Sequence, residues 1–389
     1  MAKRKSNKKL RTAFAVIALF VIIAFVALCY FHPPFLNYIN GLLGIEDEDG
    51  DGGDIRVEGG IAYVTVLEDL KVHFVDVGQG DAIIIELPDG KNVIIDAGDK
   101  DSKDYSELKN YIDNQTGVKS FDYAIATHGD SDHIGSMDKI LQYYEVKYVY
   151  RPHVLYTGSK YDFDDAFNQG GSKSAKDSNE YGDFLNAVKN ETYTENGETK
   201  SAGWEFFTHK SDFAGKISYN EVLYEYYFDF LTPRVENFSD INYSNANDYS
   251  PIIKFSYCGV DILFTGDAEG GTAGDAEDDF VAYYKNATGY DLDVDILKVG
   301  HHGSETSTTQ ELLDIVKPEH AIIQCGVGNT YRHPRQATLN RLKAINSVVY
   351  RNDLHGDIVA TLKADGTFTI SKQVENLADM YTGGETLYA

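Results

Sequence analysis

The sequence predicts an α/β layered domain carried on a single N-terminal transmembrane helix. Three observations lead there. Thr12–Phe31 runs for twenty residues without a charge. From about Leu70, short Ile/Val-rich runs alternate with stretches of helical spacing. Four of those runs end on histidine or aspartate.

The N-terminal element comes first. Lys3, Arg4, Lys5, Lys8, Lys9 and Arg11 make residues 1–11 a basic tail. The uncharged run that follows, residues 12–31, spans roughly 30 Å as a helix, the thickness of a hydrocarbon core. A cleaved signal peptide has a shorter apolar region and small residues at its cleavage site, which "ALCYFHPP" lacks, so the anchor reads as uncleaved. Leu28 before Cys29 also sits where a lipoprotein signal needs a small residue. With the basic end held in the cytoplasm, the reading is a single-pass cell-membrane protein whose C-terminal domain is extracytoplasmic. Beyond the span, Cys258 and Cys325 close apolar runs and read as buried free thiols.

Sixty-one acidic side chains stand against 35 basic ones, a formal charge of −26. Such a surface excludes strong general binding of nucleic acid. It leaves the oligomeric state open.

Residues 32–69 read as an acidic linker. Within it, "IEDEDGDGGDIRVEGG" has two readings, a solvated spacer and a Ca²⁺ loop. Asp47, Asp49, Asp51, Gly52 and Glu58 fit the calcium pattern, although "IAYVTV" follows where that motif needs a helix.

The domain proper is read over residues 70–372. "KVHFVDV", "AIIIELP" and "NVIIDAG" are strands broken by "GQGD" and "DGK". "DYSELKNYIDN" has helical spacing, "FDYAIAT" is a strand and "GSMDKILQYYEV" a helix. Residues 157–203 are polar and read as a surface insertion. Strands resume at "LYEYYFDFLT", "PIIKFSYC" and "VDILFTGD", and strand and helix then alternate to "TFTIS". Residues 373–389 read as a tail. The aromatic residues of "LYEYYFDF" and "EYGDFLNAV" read as core, with a stacking wall for a base or choline as the functional alternative.

"ATHGDSDHIGS" follows a buried strand and precedes a helix. A helix cap needs only Ser131 or Asp132, which leaves His128, Asp130 and His133 without a purpose. Three more strand ends carry similar chemistry: Asp267 in "FTGDAE", His301 and His302 in "LKVGHHGSETS", and His333 in "GNTYRHP". Convergence at one rim of a sheet makes a metal site.

In this order the segments "HFVDVGQGDAIIIELPDGKNVIIDAGD", "THGDSDHIGS", "LFTGD", "LKVGHHGS" and "GNTYRHP" resemble the metallo-β-lactamase superfamily, in the branch attached to ComEC-type competence proteins. Phosphorylcholine esterases are similar. The resemblance implies an αββα sandwich with two divalent cations at one edge. Its H-x-H-x-D-H motif falls on His128, Asp130, Asp132 and His133, with aspartate at 130 in place of histidine. It implies His128 and Asp130 on the first cation, Asp132, His133 and His302 on the second, and Asp267 bridging. Where the first site's last imidazole belongs, this chain has Asn247 and Asp248. Carboxylate in place of imidazole brings Mn²⁺ beside Zn²⁺.

Further roles follow from the same resemblance. Asp76, Gln79 and Asp81 are expected beside the metals, and Asp96 and Asp99 are expected to orient His128 or His133. His301 is a candidate proton donor, Asp132 a candidate catalytic carboxylate, and His333 and Tyr331 candidate phosphate contacts. His73, His153, His209, His320 and His355 read as structural or surface residues. The expected function is a membrane-anchored, dinuclear hydrolase acting on phosphodiesters. A phosphorylcholine esterase or other small-phosphoester hydrolase, and a non-catalytic scaffold of a DNA-uptake system, are the alternatives.

Overall fold

A computed structural model describes residues 55–388, apart from 101, 288 and 377. The basic tail, the Thr12–Phe31 span and Asp47, Asp49, Asp51 and Gly52 lie outside the described residues. Among those described, no helix is long and apolar enough to cross a membrane.

Two sheets face one another. One has nine strands, in the order Ile55–Glu58, Ile61–Val64, Phe213–Tyr219, Val222–Phe230, Ile253–Tyr257, Val260–Phe264, Ile296–Lys298, His320–Ile323 and Val348–Arg351. The other has eight: Gly203–Phe206, Val146–Arg151, Phe121–Ile125, Asn92–Ile95, Ile83–Glu86, Leu70–Phe74, Ile358–Leu362 and Phe368–Lys372. Alternation along each strand divides the apolar residues between two layers. Ile83, Ile85, Val93 and Ile95 point into the core between the sheets, with Phe228, Phe255, Ile262 and Phe264. Ile84, Ile94, Leu263 and Leu297 point outwards into the layer that holds the helices Ser102–Gln115, Met137–Tyr143, Ala276–Tyr284, Gln310–Val316 and Gln336–Ala344. Burial on both faces is why these strands read as continuous Ile/Val runs. The result is an αββα sandwich.

The aromatic segments are core in part: Tyr226, Phe228 and Phe230 are buried, whereas Leu223 and Tyr227 face solvent. Phe213 stacks on Phe228 at 4.3 Å between ring centroids, and Tyr181, Phe184 and Leu185 are fully buried.

Three boundaries differ from those read in the sequence. The sandwich begins at Ile55, inside the segment read as linker. Ile61–Val64 pairs in parallel with Phe213–Tyr219 and buries Ala62 and Val64, so the hairpin is an edge of the sheet. Glu58, the last residue of the calcium pattern, closes the outer strand with its carboxylate on Arg56. The 157–203 segment is only partly a surface insertion. Its strand Gly171–Lys176 pairs with Val154–Tyr156, and its helix Asn179–Asn190 buries an apolar stripe, capped by Ser178 Oγ accepting from Tyr181 N. The 373–389 tail is docked. Buried Arg351 forks onto Asp353 and also donates to the carbonyls of Met380 and Thr382, while Gly384 N donates to Pro334 O.

Candidate metal centre

Parallel strands end at one rim, and their exits carry the site. Phe121–Ile125 leads into His128–His133, Val260–Phe264 into Asp267, Ile296–Lys298 into His301–His302, and His320–Ile323 towards His333. The fit is close. At Gly266, with φ of 50°, a Cβ would stand 2.9 Å from Ser250 Cβ and 3.1 Å from Thr127 Cβ, so only glycine brings the two exits together. His301 and His302 both take left-handed backbone, at φ of 46° and 53°. That conformation costs on the order of 1–3 kcal/mol per non-glycine residue and turns both rings to the rim.

Four side chains meet at its centre. His133 Nε2 is 3.2 Å from Asp267 Oδ1 and 3.3 Å from His302 Nε2. His302 Nε2 is in turn 3.2 Å from Asp132 Oδ2 and 3.5 Å from Asp267 Oδ2. Donors about 2.0–2.1 Å from a tetrahedral cation lie roughly 3.3 Å apart. Two imidazole nitrogens facing each other across such a gap, beside two carboxylates, have the spacing of a divalent-cation site. The Asp267 Oδ1 atom is buried without a hydrogen bond within the described residues.

The inward nitrogen of each histidine is freed by a partner on the other. His133 Nδ1 is 2.7 Å from Asp96 Oδ2, which also accepts from Thr127 Oγ1 at 2.7 Å. His302 Nδ1 is 2.9 Å from the Gln324 carbonyl and 3.2 Å from Asp81 Oδ1. His128 Nδ1 lies 3.1 Å from Thr127 Oγ1 and 3.2 Å from Ser250 Oγ, leaving its buried Nε2 without a hydrogen bond. Asp81 clusters with His133, Asp267 and His302, but it faces the Nδ1 edges and is paired with buried Lys298. It is therefore an orienting carboxylate.

Charges reinforce this arrangement. Burial alone lowers the pKa of His302, but Asp267 and Asp81 outweigh it and lift it to about 10 in the metal-free chain. His133 is raised likewise, with burial outweighed by Asp267 and Asp96. Burial, with His133 beside it, lowers His128, so that imidazole is neutral. Although burial opposes ionisation, His133 and His302 hold Asp267 well below the carboxylate range.

His301 stands at the mouth, partly exposed. Its Nδ1 is 2.9 Å from Glu269 Oε1 and its Nε2 is 3.7 Å from Asp267 Oδ2. Burial opposes its charged form, but Asp267 and Glu269 raise its pKa. Beside it, burial and the two neighbouring imidazoles push buried His333 down to about 3, and exposed Tyr331 stacks on that ring at 5.6 Å. A neutral His333 offers a hydrogen bond and no charge.

Other expected residues are engaged with partners other than the four donors. Asp76 accepts from Gly78 N and faces a separate cleft of about 460 Å³ with Glu107 and Asp357. Gln79 accepts from Gly326 N at 3.2 Å. Asp99 binds Ser131 Oγ and Lys100 N, fixing the motif's loop instead of orienting a histidine. Asn247 donates to Glu269 at 3.0 Å, and Asp248 accepts from Glu269 N and Ala276 N. Neither stands beside His128, where Ser250 is found. Asp130 Oδ2 is 4.0 Å from His128 Nε2, but its other oxygen is bonded to Lys176. The first position is thus incomplete. Lys176, Ser250, Glu269, Lys298 and Gln324 were not singled out from the sequence. Only Lys298, a charge inside the apolar "VDILKVG", carried a local signal.

Residues 75–215 match the metallo-beta-lactamase superfamily. The chain is 25% identical over 325 residues to ComE operon protein 3 of Bacillus subtilis (strain 168), covering 79% of this chain and 35% of that protein. It is 35% identical over 129 residues to competence protein ComA of Neisseria gonorrhoeae, covering 33% and 17%. It therefore spans about a third or less of the length of these relatives. Among solved structures, the metallo-beta-lactamase fold protein YhfI from Bacillus subtilis is 10% identical with a TM-score of 0.40, covering 78% of this chain and all of that one.

Proposed function

This chain carries a metallo-beta-lactamase superfamily domain and is related in sequence to competence proteins, and on that premise we propose that it is a divalent-metal-dependent hydrolase of phosphodiesters. The observation that carries this reading is the spacing of 3.2–3.5 Å among donors of Asp132, His133, Asp267 and His302. Those residues would hold Zn²⁺ or Mn²⁺, since two imidazoles and two carboxylates suit both. When bound there, such a cation polarises a phosphoryl oxygen and acidifies water.

The chain's own groups supply the rest. Asp96, Asp81 and the Gln324 carbonyl fix the histidine rings. His301, whose charged form Glu269 favours, is placed to donate its Nε2 proton to the departing alkoxide. His333, held neutral, hydrogen-bonds a phosphoryl oxygen. The net charge of −26 confines contact with a polynucleotide to a few phosphates near the centre. The basic cluster before Thr12 and the uncharged run to Phe31 support a single membrane helix with the domain outside the cytoplasm. Protease added to intact cells should then digest residues 70–389.

The test compares single-stranded DNA, a bis-aryl phosphodiester, an aryl phosphorylcholine and a β-lactam under each metal. Turnover of DNA and the bis-aryl ester supports the reading. Turnover of the choline ester alone makes the chain a phosphorylcholine esterase, and DNA binding without turnover makes it a scaffold. Hydrolysis of the β-lactam alone removes the phosphoester assignment.

A further inference from the structure

Where the resemblance places the first cation, Asp130 already pairs with a charged side chain of this chain. Lys176 Nζ is bonded to Asp130 Oδ1, and the two side chains are only 22% and 34% exposed. The lysine stem lies over Gly129, between His128 and Asp130: a Cβ at 129 would stand 3.1 Å from Lys176 Cγ and 3.5 Å from its Cε. Its backbone is fixed as well. Lys176 closes the strand Gly171–Lys176 opposite Tyr156, and its carbonyl accepts from Thr157 N at 2.8 Å.

Donors for a second cation are correspondingly few. His128 offers Nε2, Asp130 retains one oxygen, and Asp267 is already engaged with His133 and His302. A further imidazole, that of His301, stands at the mouth with its Nδ1 on Glu269 and its Nε2 3.7 Å from Asp267 Oδ2. Ser250 Oγ is turned to His128 Nδ1 and Asp267 N, Asn247 to Glu269 and His301, and Asp248 to backbone amides. A divalent ion placed here has an incomplete set of ligands and an ammonium on one of them, which repels it.

We propose that Lys176 replaces the first cation, so that the chain holds a single divalent ion on Asp132, His133, Asp267 and His302 and uses the Lys176 ammonium as the fixed positive charge opposite it. This rests on the metal-dependent reading above, and metal counting separates the two. The full chain in detergent is stripped with chelator, reloaded with excess Mn²⁺ or Zn²⁺, desalted and assayed by plasma mass spectrometry. The wild type should retain about one ion per chain. Lys176→Ala should gain a second, weaker equivalent by titration calorimetry, while Lys176→Arg stays at one; circular dichroism checks the fold of each. Two ions in the wild type overturn the lysine's role while leaving the metal reading intact, and a count of one unchanged in Lys176→Ala does the same. No retained metal in any form removes both. The wild-type count needs no variant to fold.

Discussion

His133 Nδ1 and Asp96 Oδ2 are 2.7 Å apart, and both side chains are sealed from solvent. The contact fixes which imidazole nitrogen faces Asp267. Asp96 itself has φ of 58°, a conformation held in place by the Ile125 carbonyl accepting from its amide. Asp96→Asn keeps the shape and loses the charge. It should weaken metal affinity by roughly 10–100-fold with little change in fold, measured by chelator competition.

Asp267 and Asp130 should differ sharply. Asp267 faces His133, His302 and His301, whereas Asp130 faces one imidazole and an ammonium. Asp267→Ala is expected to abolish metal retention and lower kcat/KM well beyond about 100-fold, and Asp130→Ala to cost about tenfold or less. Metal content and turnover are measured on the same samples. Equal activity of Asp267→Ala and wild type would leave no place for the metal.

Metal uptake should release protons. In the metal-free chain His302 is raised from 6.5 to about 10, and His133 is raised too, so the imidazole pair holds a proton at neutral pH that a cation has to displace. A cation must displace at least one proton, and its apparent affinity should rise by about tenfold per pH unit between neutrality and pH 9. Calorimetry in buffers of different ionisation enthalpy counts the protons released. The stability that His302 gains from its partners is fully present below pH 6.5 and is lost as pH rises through about 10. The melting temperature of the metal-free protein should therefore fall over that window.

Glu277 braces the loop that carries His301 and His302. Fully buried, it accepts from Thr308 N at 2.5 Å and from Thr309 N and Oγ1 at 2.9 Å each, while Thr308 Oγ1 accepts from Gly300 N. Glu277→Ala strands these donors and should cost about 2–4 kcal/mol in chemical denaturation. Unchanged stability would mean that water replaces the carboxylate.

The strands and the histidine-bearing exits were legible because each is local. Burial on both faces makes "AIIIE" and "NVII" apolar throughout, and a strand end followed by "THGDSDH" declares its chemistry within one turn. What stayed hidden is non-local. Lys176 lies 46 residues from Asp130, and Ser250 lies 122 from His128. Each is an ordinary polar residue until packing places it. The docked tail escaped notice for the same reason: buried Arg351 demands carbonyls, but nothing near residue 351 says that Met380 and Thr382 provide them. The Ile61–Val64 strand is short, and a glycine- and acid-rich stretch hides it.

The donors of the metal centre come from both sheets. Asp132 and His133 follow a strand of the eight-stranded one, and Asp267 and His302 follow strands of the nine-stranded one. An ion shared across that seam is a cross-link between two halves of the sandwich. At free concentrations about a thousand times the dissociation constant it adds roughly 4 kcal/mol against unfolding. Stripping the ion should then shorten the half-life of the folded chain under added protease.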